Sequence, residues 1–247
     1  MPDIQPSMKQ IKRILSLFKN TPVHPQWFAH FRSSRALQDI CKELNGTVLD
    51  IGCADSKPKA FLPAGATYIG LDYYDTATNW YQTKPDLFGD AARLPIKNGA
   101  IDNCLLLDVL EHLPMPAQAV SEINRVLKAN GRFTLQVPFL YPIHDAPLDF
   151  SRWTEFGLAQ ILEQENFTIL NIEAVGHPLE TATLNMCIAL SKTCLNWIEN
   201  RNPLALLTAL LPFIVLVLNL LAWIFAKLDR TTTFMPQSYR VWCVKRS

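Results

Sequence analysis

Short aliphatic runs alternate along the chain with stretches in which apolar residues recur at helical spacing. The aliphatic runs, each typical of a strand buried in a sheet, cover residues 48–51, 68–72, 104–107, 133–137, 167–175 and 239–245. Helical spacing is found over residues 7–18, 26–44, 117–128 and 154–165, with Gly46 and Thr154 as candidate caps. This alternation predicts a doubly wound, mostly parallel α/β sheet.

Four aspartates stand at the predicted ends of successive strands: Asp50, Asp72, Asp90 and Asp108. Because ligands of doubly wound sheets bind at the carboxyl ends of the strands, these carboxylates are expected to converge on one crevice. Asp72 ends the second strand, where an acid can accept hydrogen bonds from two ribose hydroxyls. The pattern predicts a site for a nucleoside-bearing cofactor, although Asp90 alone is equally compatible with a turn or a helix cap.

Small residues follow the first of these acids, namely Gly52, Cys53 and Ala54. Such residues let the backbone turn tightly and approach a bound ligand closely. The turn after the first strand is therefore expected to form one wall of the cofactor site.

A polar and aromatic loop over residues 138–153 follows the strand at 133–137 and is expected to overhang the crevice. His144, with Asp145 next to it in sequence, is the candidate general base, since an imidazole titrates near neutral pH. The alternative is a structural histidine whose ring bonds a loop carbonyl. His112, shortly after Asp108, is interpreted as structural.

Residues 204–226 carry no charge and are nearly all apolar. A helix of this length can cross a bilayer, but a single crossing would separate two strands of one sheet, 167–175 and 239–245. Three arrangements avoid this: a hairpin in which 183–197 crosses first, a segment that dips into the membrane and returns at Pro212, and a segment packed on protein. We favour attachment to the cytosolic face of a membrane, where the basic helix at 7–18 would also meet anionic headgroups.

The bulk composition narrows the function classes. A net charge of +1 provides no basic surface for nucleic acid, so no nucleic-acid partner is expected. None of the six cysteines lies in a C-x-x-C pair, which indicates reduced thiols in the cytosol and gives no sign of a zinc or other metal site. The first residues show no apolar core followed by a cleavage site, so no secretory signal is expected.

Taken together, the motifs resemble the class I S-adenosylmethionine-dependent methyltransferases, specifically the type 11 methyltransferase group. The stretches that carry the resemblance are Val-Leu-Asp50-Ile-Gly52-Cys, Tyr-Ile-Gly-Leu-Asp72-Tyr, Gly89-Asp90-Ala-Ala-Arg-Leu-Pro, Asp108-Val-Leu-Glu-His112-Leu and Glu122-Ile-Asn-Arg125-Val-Leu-Lys-Ala-Asn-Gly131. The resemblance covers roughly residues 44–175 and, more weakly, the last strand. It implies a seven-stranded Rossmann-like methyltransferase fold and S-adenosylmethionine as cofactor. The apolar run described above would then be a helical insertion before the last strand of that fold.

The resemblance also implies roles for individual residues. Asp50 and Gly52, with Cys53 and Ala54, would line the methionine portion of the cofactor, and Asp72 would hold the ribose. Tyr73 would pack near the adenine, Asp90 would receive the adenine amine with Ala91 beside it, and Leu107, Asp108 and His112 would line the crevice. The chain departs from the family at Ala54 and Ser56, where glycines are usual; Ser56 could instead cap the following helix.

The expected domains are N-terminal helices over 1–46, a methyltransferase domain over 47–180 and 236–247, and an apolar insertion over 181–235. The expected acceptor is a small molecule, a lipid or a lipid-linked glycan, and a homodimer is possible. One rival function is a nicotinamide-dependent oxidoreductase, which would need G-x-G-x-x-G where the chain has Gly52-Cys-Ala-Asp-Ser-Lys. The other rival is a non-catalytic binding or membrane-scaffold module with the same fold.

Overall fold

The structure is a computed structural model and describes residues 17–31, 33–229 and 234–246. These residues divide into two compact units. One takes the described positions up to Ser34 together with Gly176–Pro236, and the other takes Arg35–Val175 and the positions from Gln237 onward. The sequence places the corresponding boundaries at 46, 180 and 235. The first differs because Ile40, Cys41 and Leu44 pack against Val48 of the sheet and so join the larger unit.

The described part of the larger unit is built on a seven-stranded sheet. Its strands are β1 (Thr47–Ile51), β2 (Thr67–Asp72), β3 (Leu87–Phe88), β4 (Ile101–Leu107), β5 (Leu127–Pro138), β6 (Phe167–Val175) and β7 (Ser238–Lys245). They lie in the order β3-β2-β1-β4-β5-β7-β6, and β7 is antiparallel to both of its neighbours, whereas β1 to β5 pair in parallel. The winding reverses between β1 and β4, which is the point where doubly wound sheets bind ligands. The predicted fold class is confirmed.

The core explains why these segments became strands. Leu49, Leu105 and Leu106 have no exposed surface, because β1 and β4 are covered on both faces. Continuous aliphatic runs are what such strands require. The predicted strands at 48–51, 68–72, 167–175 and 239–245 are confirmed to within a residue. The strand expected at 133–137 begins at Leu127, directly after the preceding helix, and the third strand keeps only two residues.

The helices α1 to α6 are Trp27–His30, Ser33–Cys41, Pro116–Val126, Glu155–Gln164, Pro178–Glu199 and Leu211–Leu228. Short helical turns also cover Lys57–Phe61, Thr76–Tyr81, Leu110–His112 and Pro203–Leu210. Thr154 caps α4 as predicted, because its Oγ1 accepts a hydrogen bond from the amide of Gly157. The single helix predicted over 26–44 is wrong, since the chain forms α1 and α2 separately. The helix predicted at 7–18 lies outside the described residues, apart from its last two positions.

The smaller unit contains a pair of packed helices, α5 and α6. A stretch of 3₁₀ helix over Pro203–Leu210 runs directly into α6, and the backbone stays helical through Pro212. Proline is tolerated there because the first turn of an α-helix leaves its amides without intrahelical partners. The chain therefore does not reverse at Pro212, which removes the arrangement in which the apolar segment dips and returns there.

Asn219, the polar interruption in the apolar segment, is fully buried. Its amide nitrogen donates to the carbonyl oxygens of Pro22 and His24, at 2.7 and 3.2 Å. A buried amide without such partners would be costly, so these bonds explain how an asparagine is accommodated in an apolar helix. They also fasten the residues before α1 to α6.

The chain leaves the sheet for the smaller unit and returns to it at one edge. Val175, the last residue of β6, pairs with Ser238, the first residue of β7, and Ser238 also pairs with Pro138 at the carboxyl end of β5. The amide of Gln237 donates to the carbonyl of Val175 at 2.8 Å. Since β6 runs parallel to β5, both junctions lie at the carboxyl edge of the sheet.

Candidate active site

Strand register brings the predicted acids to one edge of the sheet. Asp50 is opposite Gly70, Ile51 is opposite both Leu71 and Leu106, and Asp72 is opposite Phe88. Asp50, Asp72 and Asp108 therefore follow one another across adjacent strands, each at or just beyond a carboxyl end. Three of the four aspartates that the sequence places at strand ends thus lie along one edge of the sheet.

The turn after β1 has an unusual backbone. Gly52 adopts φ +71°, and a Cβ added there would lie 2.4 Å from Cγ2 of Val109. The amides of Gly52 and Cys53 both donate to the carbonyl of Leu71, at 2.8 and 3.2 Å. Glycine is favoured here because the left-handed conformation is strained for other residues and because a Cβ would collide with Val109.

The two departures from the family pattern occupy left-handed positions as well. Ala54 has φ +42° and Ser56 has φ +56°. Each costs on the order of 1–2 kcal/mol relative to glycine, which explains why glycine is usual at these positions in the family. The suggestion that Ser56 caps the next helix is wrong, because its side chain makes no capping bond there.

Asp72 holds the β1 turn against β2. One carboxylate oxygen accepts from the amide of Ala54 at 2.9 Å, and the other accepts from the amide of Tyr73 at 2.8 Å and from the hydroxyl of Thr76 at 3.1 Å. The residue is buried. The ring of Tyr73, predicted to pack near an adenine, is about half exposed. Any ribose bound here would therefore share a carboxylate that already orders the surrounding backbone.

Asp50 is the most deeply buried of the four acids. One of its oxygens accepts the hydroxyl proton of Tyr68 at 2.7 Å. Burial raises the pKa of Asp50 to about 7, and the Tyr68 hydrogen bond opposes this increase while Asp72 adds to it. A cationic group of a ligand would favour the ionised form of such a carboxyl, which suits the ammonium of a bound amino-acid moiety. On this ground the residues fit the cofactor that the sequence predicts.

Asp90 and Ala91 follow β3 in a turn. Oδ1 of Asp90 accepts a hydrogen bond from the amide of Ala92 at 2.9 Å, which is the contact expected of a turn aspartate. The rest of the side chain is exposed. Ala91 is buried. The role of Asp90 toward an adenine amine stays a prediction.

The Glu122–Arg125 motif fixes the segment that follows this turn. The guanidinium of Arg125 makes a bidentate ion pair with Glu122, at 2.6 and 2.7 Å, and also donates to the carbonyls of Leu94 and Ile96. Glu122 in turn accepts from the amide of Leu94 at 2.8 Å. Helix α3 thereby holds the loop between β3 and β4 in place, which positions the segment carrying Asp90.

Leu107 and Asp108 end β4. Asp108 adopts φ +56°, and its Oδ2 accepts from the side-chain amide of Gln136 on the adjacent strand at 3.0 Å. Its side chain is open to solvent, yet the surrounding protein desolvates it enough to raise its pKa. A carboxyl with a raised pKa at the end of a strand is a candidate for a functional site. Leu107 is half-buried beside it.

The loop over residues 138–153 folds back onto the turn Leu110–His112. Nδ1 of His112 lies 2.7 Å from the carbonyl oxygen of Leu148, and the amide of Phe150 donates to the carbonyl of Glu111 at 2.9 Å. The rings of His112 and His144 meet edge to face with centroids 4.8 Å apart. The loop thus brings His144 beside the turn that follows β4.

The acid that faces the ring of His144 is Asp149, and not its sequence neighbour Asp145. Asp149 accepts from the amide of His144 at 2.9 Å, lies 3.4 Å from Nδ1 of its ring, and is paired with Arg152. Asp145 instead adopts φ +49° and accepts the hydroxyl of Tyr81 at 2.8 Å. Adjacent residues in a tight turn point apart, which sequence proximity does not reveal.

Glu111 is the site residue that sequence reasoning missed. It has no exposed surface, and among the described residues neither of its carboxylate oxygens has a hydrogen-bond partner. Burial raises its pKa to about 8, with Asp108 adding to the increase. Oε1 lies 3.6 Å from Nε2 of His112 and 3.8 Å from Nε2 of His144. In the sequence, Glu111 and His112 stand side by side shortly after Asp108. The third member of the cluster, His144, lies 32 residues further on, so spacing alone does not connect it to them.

A family model for the methyltransferase domain matches residues 49–135, which span β1 to β5 and four predicted acids. These residues are a class I S-adenosylmethionine-dependent methyltransferase domain. A probable S-adenosylmethionine-dependent methyltransferase of Mycolicibacterium smegmatis is 31% identical over 150 residues, which are 56% of this chain and 58% of that protein. The predicted family and its cofactor, S-adenosylmethionine, are confirmed.

Solved structures share the fold of this methyltransferase domain. An S-adenosylmethionine-dependent methyltransferase from Mesorhizobium loti has a TM-score of 0.51 and 13% identity, covering 90% of this chain and 98% of that one. The [4+2]-cyclase SpnF has a TM-score of 0.55 and 17% identity, covering 87% and 80%. The chain spans little more than half the length of the curated methyltransferases that it matches, at 58% of the first and 52% of the next.

Proposed function

We propose that the protein as a whole is a methyltransferase that modifies a lipid or a lipid-linked glycan at a membrane surface. The methyltransferase domain carries the first half of this proposal, through the acids gathered at the carboxyl edge of its sheet. The exposed apolar helix of the smaller unit carries the second half. An acceptor dissolved in water would give that helix no role.

The domain's own residues would divide the work at the site. Asp50 would hold the ammonium of the cofactor, Asp72 its ribose and Asp90 its adenine amine. Bound S-adenosylmethionine supplies a methyl group that is already activated. What remains for the protein is to align the acceptor and to provide for the loss of a hydroxyl proton, and His144 is the predicted base.

The membrane part of the proposal depends on the surface of the helical segment Pro203–Leu228. By length and composition alone, this helical segment could cross a membrane, and little of it is buried. Leu206, Phe213 and Leu228 are 84%, 67% and 75% exposed, and other large apolar side chains continue the surface between them. Keeping such an apolar surface exposed to water has a high free-energy cost, whereas a bilayer or a second protein would cover it. Lys227, stacked on Trp223 at 3.4 Å, would sit at the headgroup level.

The path of the chain supports a membrane-bound acceptor. Both junctions to the smaller unit, Val175 and Ser238, lie at the carboxyl edge of the sheet, where the acids converge. The chain therefore leaves for the apolar unit, and comes back from it, at the edge of the sheet that carries the acids. The helices α5 and α6 also return the chain to β7, so the sheet closes without a single crossing of the bilayer.

The test follows a labelled methyl group. Detergent-solubilised protein would be incubated with methyl-labelled S-adenosylmethionine and with lipid and aqueous cell extracts in parallel. We expect the label in the lipid fraction, and label confined to the aqueous fraction would overturn the lipid acceptor. Binding of S-adenosylhomocysteine without transfer to either extract would instead favour a non-catalytic module, and binding of NAD would favour the oxidoreductase.

A second measurement addresses the membrane directly. The full chain should sediment with membranes, be released by detergent and resist release by high salt. Replacement of residues 203–228 by a short polar linker should release it and leave S-adenosylhomocysteine binding intact. Sedimentation that persists in the linker variant would assign membrane binding to another part of the chain, and a soluble parent chain would favour a helix covered by protein.

A further inference from the structure

We propose that Glu111, His112 and His144 bind a divalent transition-metal ion. The ligand atoms that these residues offer, one carboxylate oxygen and one ring nitrogen from each histidine, all lie within 4.8 Å of one another. One carboxylate with two imidazoles is a donor set suited to Zn²⁺, Fe²⁺ or Mn²⁺. No metal site is expected from the cysteines because none of them lies in a C-x-x-C pair. A site made of one carboxylate and two imidazoles needs no cysteine, so that argument does not exclude it.

The distances suit a cation placed between the three groups. With metal–ligand bonds of about 2.0–2.2 Å, ligand atoms of a tetrahedral site lie about 3.3–3.6 Å apart. Oε1 of Glu111 is 3.6 Å from Nε2 of His112 and 3.8 Å from Nε2 of His144. These gaps are too long for direct hydrogen bonds, and small side-chain shifts would bring them to coordination geometry.

The buried carboxylate is the second, independent observation. Glu111 is 0% exposed, and within the described residues neither oxygen receives a hydrogen bond. A buried carboxylate is normally paired, hydrogen-bonded or bound to a metal, because desolvation without compensation is expensive. A cation at Oε1 would supply the missing compensation.

The surroundings of the two rings direct their Nε2 atoms toward Glu111 as ligands. Nδ1 of His112 faces the carbonyl oxygen of Leu148 at 2.7 Å, which only an N–H can satisfy, so Nε2 of the neutral ring carries a lone pair. Nδ1 of His144 lies 3.3 Å from the carbonyl of Pro142, 3.4 Å from Asp149 and 3.5 Å from Nη2 of Arg152. The lone pair of His112 directed at a buried carboxylate repels it unless a proton or a cation lies between them, and a carbonyl or carboxylate on the other ring nitrogen is typical of metal-binding histidines.

The remaining coordination positions would be open. The side chains of His112 and His144 are 19% and 28% exposed, so the site is reached from solvent. If the proposed methyltransferase function holds, a cation here favours an acceptor with a hydroxyl group, since binding beside a divalent cation lowers the pKa of that hydroxyl. His144 would then serve as a ligand and not as the base.

The test measures metal binding without reference to activity. The full-length, detergent-solubilised protein, stripped with a chelator, would be titrated with Zn²⁺, Mn²⁺ and Mg²⁺ in a calorimeter, and its Co²⁺ form examined by visible absorption. We expect one equivalent of Zn²⁺ and a Co²⁺ spectrum with nitrogen ligation. Asp149→Asn should weaken Zn²⁺ binding about 10–100-fold, as loss of an outer partner does, and His144→Ala or Glu111→Gln should weaken it further.

Matched variants separate this proposal from the cofactor assignment. His144→Ala should retain S-adenosylhomocysteine affinity while losing Zn²⁺, and Asp72→Asn should do the reverse. Zn²⁺ binding that is unchanged in both Glu111→Gln and His144→Ala would show an adventitious ion only and overturn the site. If the parent protein binds no stoichiometric Zn²⁺, the metal site is also overturned, and a proton shared between Glu111 and the histidines would then hold the cluster together. If Glu111→Gln does not fold, His144→Ala alone decides, because its side chain lies in a surface loop.

Discussion

Asp50 allows the electrostatics of the carboxyl edge to be tested through stability. It is 3% exposed, and burial raises its pKa from 3.8 to about 7. Between these values the folded protein keeps a proton that the unfolded chain has lost. Since the unfolded chain binds fewer protons in this window, the free energy of unfolding falls as pH rises from about 4 to about 7, and stays low above it. A pKa difference of about three corresponds to at most about 4 kcal/mol.

We expect Asp50→Asn to remove this pH-dependent loss. The amide stays neutral, and its oxygen can still accept the hydroxyl proton of Tyr68. The variant should match the parent near pH 4 and exceed its free energy of unfolding by up to about 4 kcal/mol near pH 8. Urea denaturation of both proteins in the same detergent, followed by circular dichroism across this pH range, measures the difference.

The control is Asp55→Asn, a neighbouring and exposed aspartate that forms a surface ion pair with Lys57 at 3.3 Å. This change should alter stability by about 0.5 kcal/mol or less at any pH. If Asp50→Asn follows the parent in parallel at every pH, the buried carboxyl does not carry the proton assigned to it, and the reasoning from its burial fails.

Two further changes test other parts of the site. Asp72→Asn should weaken S-adenosylhomocysteine binding by more than about tenfold in calorimetry, because charge-assisted hydrogen bonds to the ribose contribute about 1.5–3 kcal/mol, and unchanged affinity would reassign the ribose site. Arg125→Lys should lower the free energy of unfolding by about 1–2 kcal/mol, because an ammonium cannot make the bidentate pair with Glu122 and reach the Leu94 carbonyl at once. A thermal midpoint equal to that of the parent would contradict the second expectation.

The parts of the fold that were predictable are those set by local pattern. Strand β1 is almost wholly buried, as a central parallel strand is, and the sequence shows it as an aliphatic run that ends in an acid. Strands β2 and β6 are less buried, but they too are apolar-rich runs bounded by acids or turns. Boundaries set by tertiary contact were not predictable. The residues that form α1 and α2 have the spacing of one helix in the sequence, yet the structure has two helices there. The packing of Ile40 and Cys41 against Val48 assigns α2 to the larger unit, a contact that spacing does not reveal.

The same division applies to the site. Asp50, Asp72 and Asp108 follow from strand ends, since the edge at which parallel strands finish is fixed by their direction. The partners of His144 depend on how a 16-residue loop folds, and neither the pairing with Asp149 nor the approach to Glu111 has a sequence period. Side-chain contacts across loops are long-range in sequence, which is why they escape analysis by spacing.

The position of β7 has a consequence for biosynthesis. This strand lies between β5 and β6, so β6 has no partner on that side until residues 238–245 have been made. The apolar segment Pro203–Leu228 precedes them in the chain and therefore leaves the ribosome first. During synthesis an unpaired strand edge and an uncovered apolar helix are therefore present at the same time, before β7 has been made to complete the sheet.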